Sequence, residues 1–221
     1  IKLSSGEITN APLLLKSARA RKQILLSSGM ATLGEIESAL GVLAFGLLQK
    51  KEAPTTKNFQ SSFCLEEGQS ALRKFVTLLH CTTEYPAPLE NVNLNVLDTL
   101  RSAFGLKVGY SDHTTGIVAS VAAVARGAQV IEKHFTLNSD LDGPDHRSSL
   151  EPEEFESMVN AIRQCELIMG NSRKIPTVGE MKNKIVVRKS LVAARDISKG
   201  EVFSEENLTS KRPGEGLSPM N

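Results

Sequence analysis

A chain of 221 residues with 40% hydrophobic side chains can bury a sizeable core, enough for one large domain or one domain and a half. With 26 Lys and Arg against 25 Asp and Glu, the formal charge of +1 excludes recruitment of nucleic acid or an anionic membrane by bulk electrostatics. Cys64, Cys81 and Cys165 are odd in number and show no CxxC spacing, and no stretch has the length of a membrane span or the make-up of a signal peptide, so the expected setting is reducing and cytoplasmic.

Ile1 to Leu3 predicts the end of a strand, and this abrupt start implies that the natural N-terminus lies outside the chain. Asn10 is placed to cap a helix over Pro12 to Arg21. Ile24 to Leu26 is a short apolar run, too brief for a helix, that ends in Ser27-Ser-Gly-Met30. Thr32 with Glu35 three residues later is a capping box, opening a helix through Ile36, Leu40, Leu43 and Leu47. Lys50 to Gln69 is polar, holds Pro54 and has no clear period; it predicts an exposed excursion. Phe75 to Leu79 predicts a strand ending in a proline-bearing loop, His80 to Pro88. Leu97, Leu100 and Phe104 then mark one face of a helix.

Two further apolar runs, Leu106 to Val108 and Val130 to Ile131, end in Gly109-Tyr-Ser-Asp-His-Thr114 and in Glu132-Lys-His-Phe-Thr136. Thr115 to Arg126, closed by Gly127, is long enough for one helix between them. Such a βαβ unit sets His113 and His134 at the same rim of adjacent parallel strands. Two imidazoles there are either a metal pair or two hydrogen-bonded rim histidines. Asp140 to Ser149 is a polar loop, and Pro152, Glu153 and Glu154 open a helix through Phe155, Met158, Ile162 and Met169. Gly170 to Ile185 predicts a linker. Val186 to Ala194 alternates like a strand, Asp196 to Glu201 predicts a turn, and Ser204 is placed to cap one helical turn at Glu205 to Leu208.

The result is five βα units, each with polar residues at the same rim, expected over residues 1–169, a linker at 170–185 and the opening of a small second domain at 186–221. A (β/α)8 TIM barrel, an α/β fold that builds its site on this rim from several strand ends, fits the pattern. Three N-terminal units would then be missing. A doubly wound open sheet is the rival, but it concentrates its chemistry at one switch point, and no GxGxxG loop is present.

At these residues the chain resembles the bacterial sialic acid synthases, which condense phosphoenolpyruvate with an N-acetylated mannose-type sugar. The resemblance runs nearly end to end: Lys2 to Glu7, Leu26 to Met30, Leu79 to Thr82 with Tyr85-Pro86, Tyr110 to Thr114, Glu132 to Thr136, Gly143 to Asp145, and Lys211 to Gly214. It implies a TIM barrel joined to an antifreeze-like (SAF) domain, here only begun. It also implies a divalent metal, Mn2+, held by His113 and His134, and phosphoenolpyruvate bound by Lys2, Ser5, Ser27 and Ser111. Thr83 stands where the family carries an asparagine for this substrate, and Lys184 matches a linker lysine that reaches the phosphate. Glu7, Tyr85 and Asp145 match sugar-side residues, with Glu7 and Asp145 as the catalytic carboxylates. Arg212 matches an arginine that reaches the partner's bound sugar in a homodimer whose SAF domain covers the neighbouring barrel. His80 and His146 match no role and are expected to be structural or solvent-facing.

Two rivals stand beside this expectation. One is another phosphoenolpyruvate-dependent keto-sugar acid synthase or a Schiff-base aldolase, for which only Lys2 and Lys133 are placed as nucleophiles. The other is a truncated, non-catalytic paralogue acting as a binding module. The acceptor is open among N-acetylmannosamine, its 6-phosphate and diacetamido-trideoxy sugars.

Overall fold

The computed structural model describes residues 1–221. The chain divides into two compact units, Ile1–Gly170 and Asn171–Asn221. In the first, β1 (Lys2–Leu3), β2 (Ile24–Ser27), β3 (Val76–Cys81), β4 (Lys107–Asp112) and β5 (Ile131–Lys133) form one parallel sheet in the order β1-β2-β3-β4-β5. A doubly wound sheet reverses its strand order at a switch point. This one never reverses, so the open-sheet alternative is excluded.

The sheet is strongly curled. β1 and β5 are four strand spacings apart, which is about 19 Å on a flat sheet, yet Lys2 Nζ lies 3.5 Å from Glu132 Oε1. The two side chains meet only because the sheet bends toward one face, as half a barrel does.

The helices on the other face follow from local signals. α1 (Ala11–Arg19) starts at Asn10, whose side chain accepts from the Leu13 N–H, and has Pro12 in its first turn. α2 (Leu33–Leu47) opens on the Thr32–Glu35 capping box. α5 (Val96–Phe104) buries Leu97, Leu100 and Phe104 and ends at Gly105, whose φ of +62° favours glycine. α6 (Val118–Ala125) links β4 to β5, and α7 (Pro152–Met169) begins after Leu150, which bridges Phe135 in parallel just beyond β5. The core lies between sheet and helices and includes Leu26, Leu40, Leu78, Val108 and Tyr110, all fully buried.

The stretch expected as an exposed excursion departs from that reading. It holds α3 (Thr56–Cys64), capped by Thr55, and the first turn of α4 (Glu66–Phe75). Pro54 precedes the cap and so sits where a helix starts. α3 packs on α2, where the Gly41 Cα faces the Phe59 backbone. α4 crosses α3 at Gly68, where a Cβ would stand 1.9 Å from Ser62 O.

In the second unit α8 (Val178–Val187), opened by a Thr177–Glu180 capping box, starts inside the expected linker and runs on into the expected strand, so Val186 and Val187 are helical. β6 (Ser190–Ala193) and β7 (Leu208–Lys211) pair antiparallel. Ser204 caps a turn, with its Oγ accepting from Glu206 N–H, but Leu208 already belongs to β7. No helix is long and apolar enough to cross a membrane.

Candidate active site

Successive residues of a strand face opposite sides of the sheet. Leu3, Leu26, Leu78, Val108 and Tyr110 face the helices, which turns Lys2, Ser27, Cys81, Ser111 and Glu132 to the concave side. Cys81, Ser111 and Glu132 form one rung across β3, β4 and β5. His113 and His134 are each the first residue after their strand, on the same concave side of the rim.

The two imidazole rings are 5.4 Å apart at 65° to one another, and the Tyr85 ring lies 4.3 Å from His113 and 5.7 Å from His134. His113 Nδ1 is 2.7 Å from Thr82 O. A carbonyl only accepts, so Nδ1 carries the proton and Nε2 presents its lone pair to the concave side. Burial lowers the basicity of His113. The neighbouring His134 adds to this, and the Thr82 carbonyl, Asp112 and Glu132 oppose it. His134 Nδ1 is 4.0 Å from Asp145 Oδ2, in the loop before α7. Tyr85 holds its phenolic proton more tightly than usual, first through burial and then through Cys81, Asp145 and Glu132. No third His, Cys, Asp or Glu joins the two histidines in a group able to enclose a metal.

Beside the imidazoles, Ser111 Oγ donates to Glu132 Oε1 at 2.8 Å and lies 3.4 Å from His113 Nε2. Lys2 reaches the same carboxylate. Ser5 Oγ accepts from the Gly29 N–H at 3.0 Å and lies 3.1 Å from Cys81 Sγ. A Cβ on residue 29 would stand 2.3 Å from Thr83 Oγ1 and 2.8 Å from Ser5 Oγ, so glycine there is what lets the two hydroxyls converge. Ser27 Oγ and Thr83 Oγ1 are buried with no partner. An unpaired buried hydroxyl costs roughly 1–3 kcal/mol, a cost that a bound polar ligand removes.

The structure thus brings together Lys2, Ser5, Thr83, Tyr85, Ser111, His113, His134 and Asp145, with Ser27 on the same concave face. Glu7 sits in a 3-10 turn after β1 and accepts from Asn10 Nδ2 at 2.6 Å; it contacts neither histidine. Lys184 and Arg212 belong to the second unit. Lys184 is on α8 rather than in a linker, beside Lys174 and Arg188, and Arg212 is exposed without a hydrogen bond. His80 is structural, with Nε2 2.7 Å from Val92 O. His146 is too, with Nδ1 2.8 Å from Thr136 Oγ1.

Sequence reasoning overlooks Glu132, although the signal is present: it precedes His134 by two residues, as Ser111 precedes His113, and a period of two means one face. Lys133 is the counterpart. Its side chain is fully buried on the helix-facing side against Asp112, 3.3 Å away, so the aldolase alternative loses one of its two candidate nucleophiles. A separate groove of about 440 Å3 between α1, α2 and α3 is lined by Leu14, Val42, Phe59 and Phe63, among others, and holds none of the candidate residues.

The NeuB family model matches residues 1–174 and the SAF domain model residues 188–221. The chain is 53% identical to the N,N'-diacetyllegionaminic acid synthase of Campylobacter jejuni, over 99% of this chain and 59% of that protein. It is 39% identical to the N,N'-diacetyllegionaminic acid synthase of Legionella pneumophila, over 99% of this chain and 56% of that one. The chain therefore spans somewhat over half the length of these relatives. The crystal structure of N-acetylneuraminic acid (sialic acid) synthetase from Leptospira borgpetersenii, in complex with citrate, superposes with a TM-score of 0.65 at 31% identity, covering 82% of this chain and 55% of that one. A curled parallel sheet with a polar rim, followed by a short antiparallel unit, is thus accounted for by descent: the chain belongs to the NeuB family and carries a SAF domain.

Proposed function

We propose that this chain carries the catalytic rim of a synthase that condenses phosphoenolpyruvate with an N-acetylated mannose-type sugar, giving a nonulosonic acid and phosphate. In the whole protein the half-barrel is part of a closed (β/α)8 barrel. The observation that carries the reading is one convergence on the concave rim: two imidazoles 5.4 Å apart beside a Lys2–Glu132–Ser111 cluster. The two buried hydroxyls without a partner support it.

In the proposed reaction the methylene carbon of phosphoenolpyruvate forms a bond to the sugar's aldehyde carbon, and the aldehyde oxygen takes a proton. Water adds to the adjacent carbon, and the bond from that carbon to the phosphate oxygen breaks. Lys2, Ser5, Ser27 and Ser111 hold the phosphate and carboxylate, since an ammonium among hydroxyl donors suits a small polyanion. Thr83 adds one donor where an asparagine would add two. Asp145 and Tyr85 orient the sugar, and Asp145 moves a proton on it. Glu7 serves the sugar side after exchanging its bond to Asn10.

The histidine pair fits a divalent cation such as Mn2+. Thr82 holds the His113 proton on Nδ1, which leaves Nε2 as an electron-pair donor. Two ligands leave positions for water and substrate oxygens. When bound, the ion would polarise the aldehyde oxygen as a Lewis acid. Lys184 is proposed to reach the phosphate of phosphoenolpyruvate, and Arg212 to act across a homodimer, with the SAF domain of one subunit over the rim of the other.

Two relatives named as N,N'-diacetyllegionaminic acid synthases favour a diacetamido-trideoxy acceptor. The test is phosphate release by the full-length protein containing this chain, given phosphoenolpyruvate with that acceptor, N-acetylmannosamine or its 6-phosphate. Acceptor-dependent release, fastest with the diacetamido sugar, is expected. Release with none of the three would overturn the reading.

A further inference from the structure

Directly behind the histidine pair, on the helix-facing side, lies an ion pair with both side chains wholly excluded from solvent: Lys133 Nζ to Asp112 Oδ2, 3.3 Å. Asp112 is the residue before His113, and Lys133 is the residue before His134. Lys133 Nζ also donates to the carbonyl of Thr114, the residue after His113. One ammonium beside the second histidine therefore holds both neighbours of the first. The carboxylate is saturated in turn. Its Oδ1 accepts from the Thr114 N–H and Oγ1, each at 2.8 Å, and its Oδ2 accepts from Ser120 Oγ of α6 at 2.6 Å. Tyr110 OH stands 3.5 Å from Oδ1.

This arrangement needs an explanation beyond stability. A buried ion pair is often no better for stability than apolar side chains of the same volume, because desolvating two charges offsets their attraction. It does supply direction. β4 and β5 join at the Asp112–Lys133 rung, and the clamp closes at that rung. It therefore fixes the backbone on both sides of His113 relative to the backbone entering His134. The imidazole separation is thereby set from behind, by groups that a ligand in the mouth never touches.

We infer that Asp112 and Lys133 are positioning residues that set the spacing and orientation of His113 and His134 for a divalent cation. The inference deepens the proposed function and rests on its metal reading. Neither residue touches substrate. Ligand-orienting partners of this kind change metal affinity by about 10- to 100-fold when removed.

The test separates positioning from stability with a double variant. Asp112→Asn and Lys133→Met each strand one buried charge and lower the melting temperature. Together they remove both charges, and the melting temperature returns toward that of the parent protein. Binding of Mn2+ alone to the full-length proteins is followed by the electron paramagnetic resonance of free Mn2+, well below every melting temperature. Affinity about 10- to 100-fold weaker in the double variant, despite recovered stability, is the expected result. Parental affinity in the double variant would overturn the inference.

A second measurement needs no metal. Long-range 1H–15N spectra of the imidazoles should show the His113 proton confined to Nδ1 in the parent and spread over both nitrogens in the double variant. If the parent binds no Mn2+, the metal reading fails while the clamp is still judged by these spectra, and identical spectra in parent and double variant overturn it.

Discussion

Ser27 Oγ and Thr83 Oγ1 are buried polar atoms left without a partner, while the other buried side-chain nitrogens and oxygens are paired. At the scale of single residues this separates a binding role from a folding role. If the hydroxyls await phosphoenolpyruvate, Ser27→Ala and Thr83→Val remove nothing that the free protein uses. Their melting temperatures should equal or slightly exceed the parent's, while KM for phosphoenolpyruvate rises about 10-fold or more, the worth of a hydrogen bond to a charged group. A large fall in melting temperature with unchanged KM would assign them to folding. Asp145 is half-exposed near His134, on the proposed sugar side. Asp145→Asn should lower turnover by about 10²- to 10⁴-fold and leave phosphoenolpyruvate affinity nearly unchanged. A comparable loss of that affinity would move Asp145 to the other substrate.

Single elements differ in how they are held. α4 crosses α3 at Gly68, and a Cβ added there would lie 1.9 Å from Ser62 O, which leaves no room for a methyl group. Gly68→Ala should therefore destabilise by about 1–3 kcal/mol, although alanine is the better helix former. It should lower the melting temperature by several degrees without altering Mn2+ binding at the rim. An unchanged melting temperature would mean that the crossing is loose enough to admit a methyl group. In the second unit the turn between β6 and β7 is organised by Glu201. Arg195, 2.6 Å away, is the main cause that pulls its carboxyl down to about 2, followed by the Ser198 N–H and the Asn207 side chain. A carboxyl depressed in the folded state favours folding above its unfolded value near 4.5, and that contribution is lost as pH falls toward 2. Hydrogen exchange at the Leu208–Lys211 amides should accelerate over this interval, after correction for intrinsic rates, and Glu201→Gln should abolish the acceleration.

For the molecule as a whole, the curl of the sheet is what turns a list of polar strand ends into a site, because it brings Lys2 of the first strand to Glu132 of the fifth. The proposed homodimer makes the matching prediction for the second unit. Arg212→Ala and His113→Ala are each expected to be inactive in the full-length protein. Mixing them should restore part of the activity, because subunit exchange creates heterodimers in which one site carries both lesions and the other neither. If exchange is demonstrated and no activity returns, Arg212 does not work across the interface.

Residue order alone determines much of this protein. Short apolar runs ending in polar clusters specify parallel strands with a common rim, and the spacing of His113 and His134 puts them on adjacent strand ends, because strand period and crossover handedness leave little freedom. The Thr32–Glu35 box and the Pro152 start are equally local, so α2 and α7 are legible. The helices α3 and α4 are not. Their apolar positions are few, and what holds α3 is contact with α2, a partner distant in space from any window of sequence. α8 escapes for another reason: its Thr177–Glu180 signal lies inside a stretch with no strong hydrophobic period. Only the tertiary structure decides which neighbour of each histidine faces which way. Glu132 turns to the concave rim with Lys2 and Ser111, while Lys133 turns to the helices and closes on Asp112. Adjacent letters in a strand carry opposite environments, and which one is wet depends on the side to which the sheet curls.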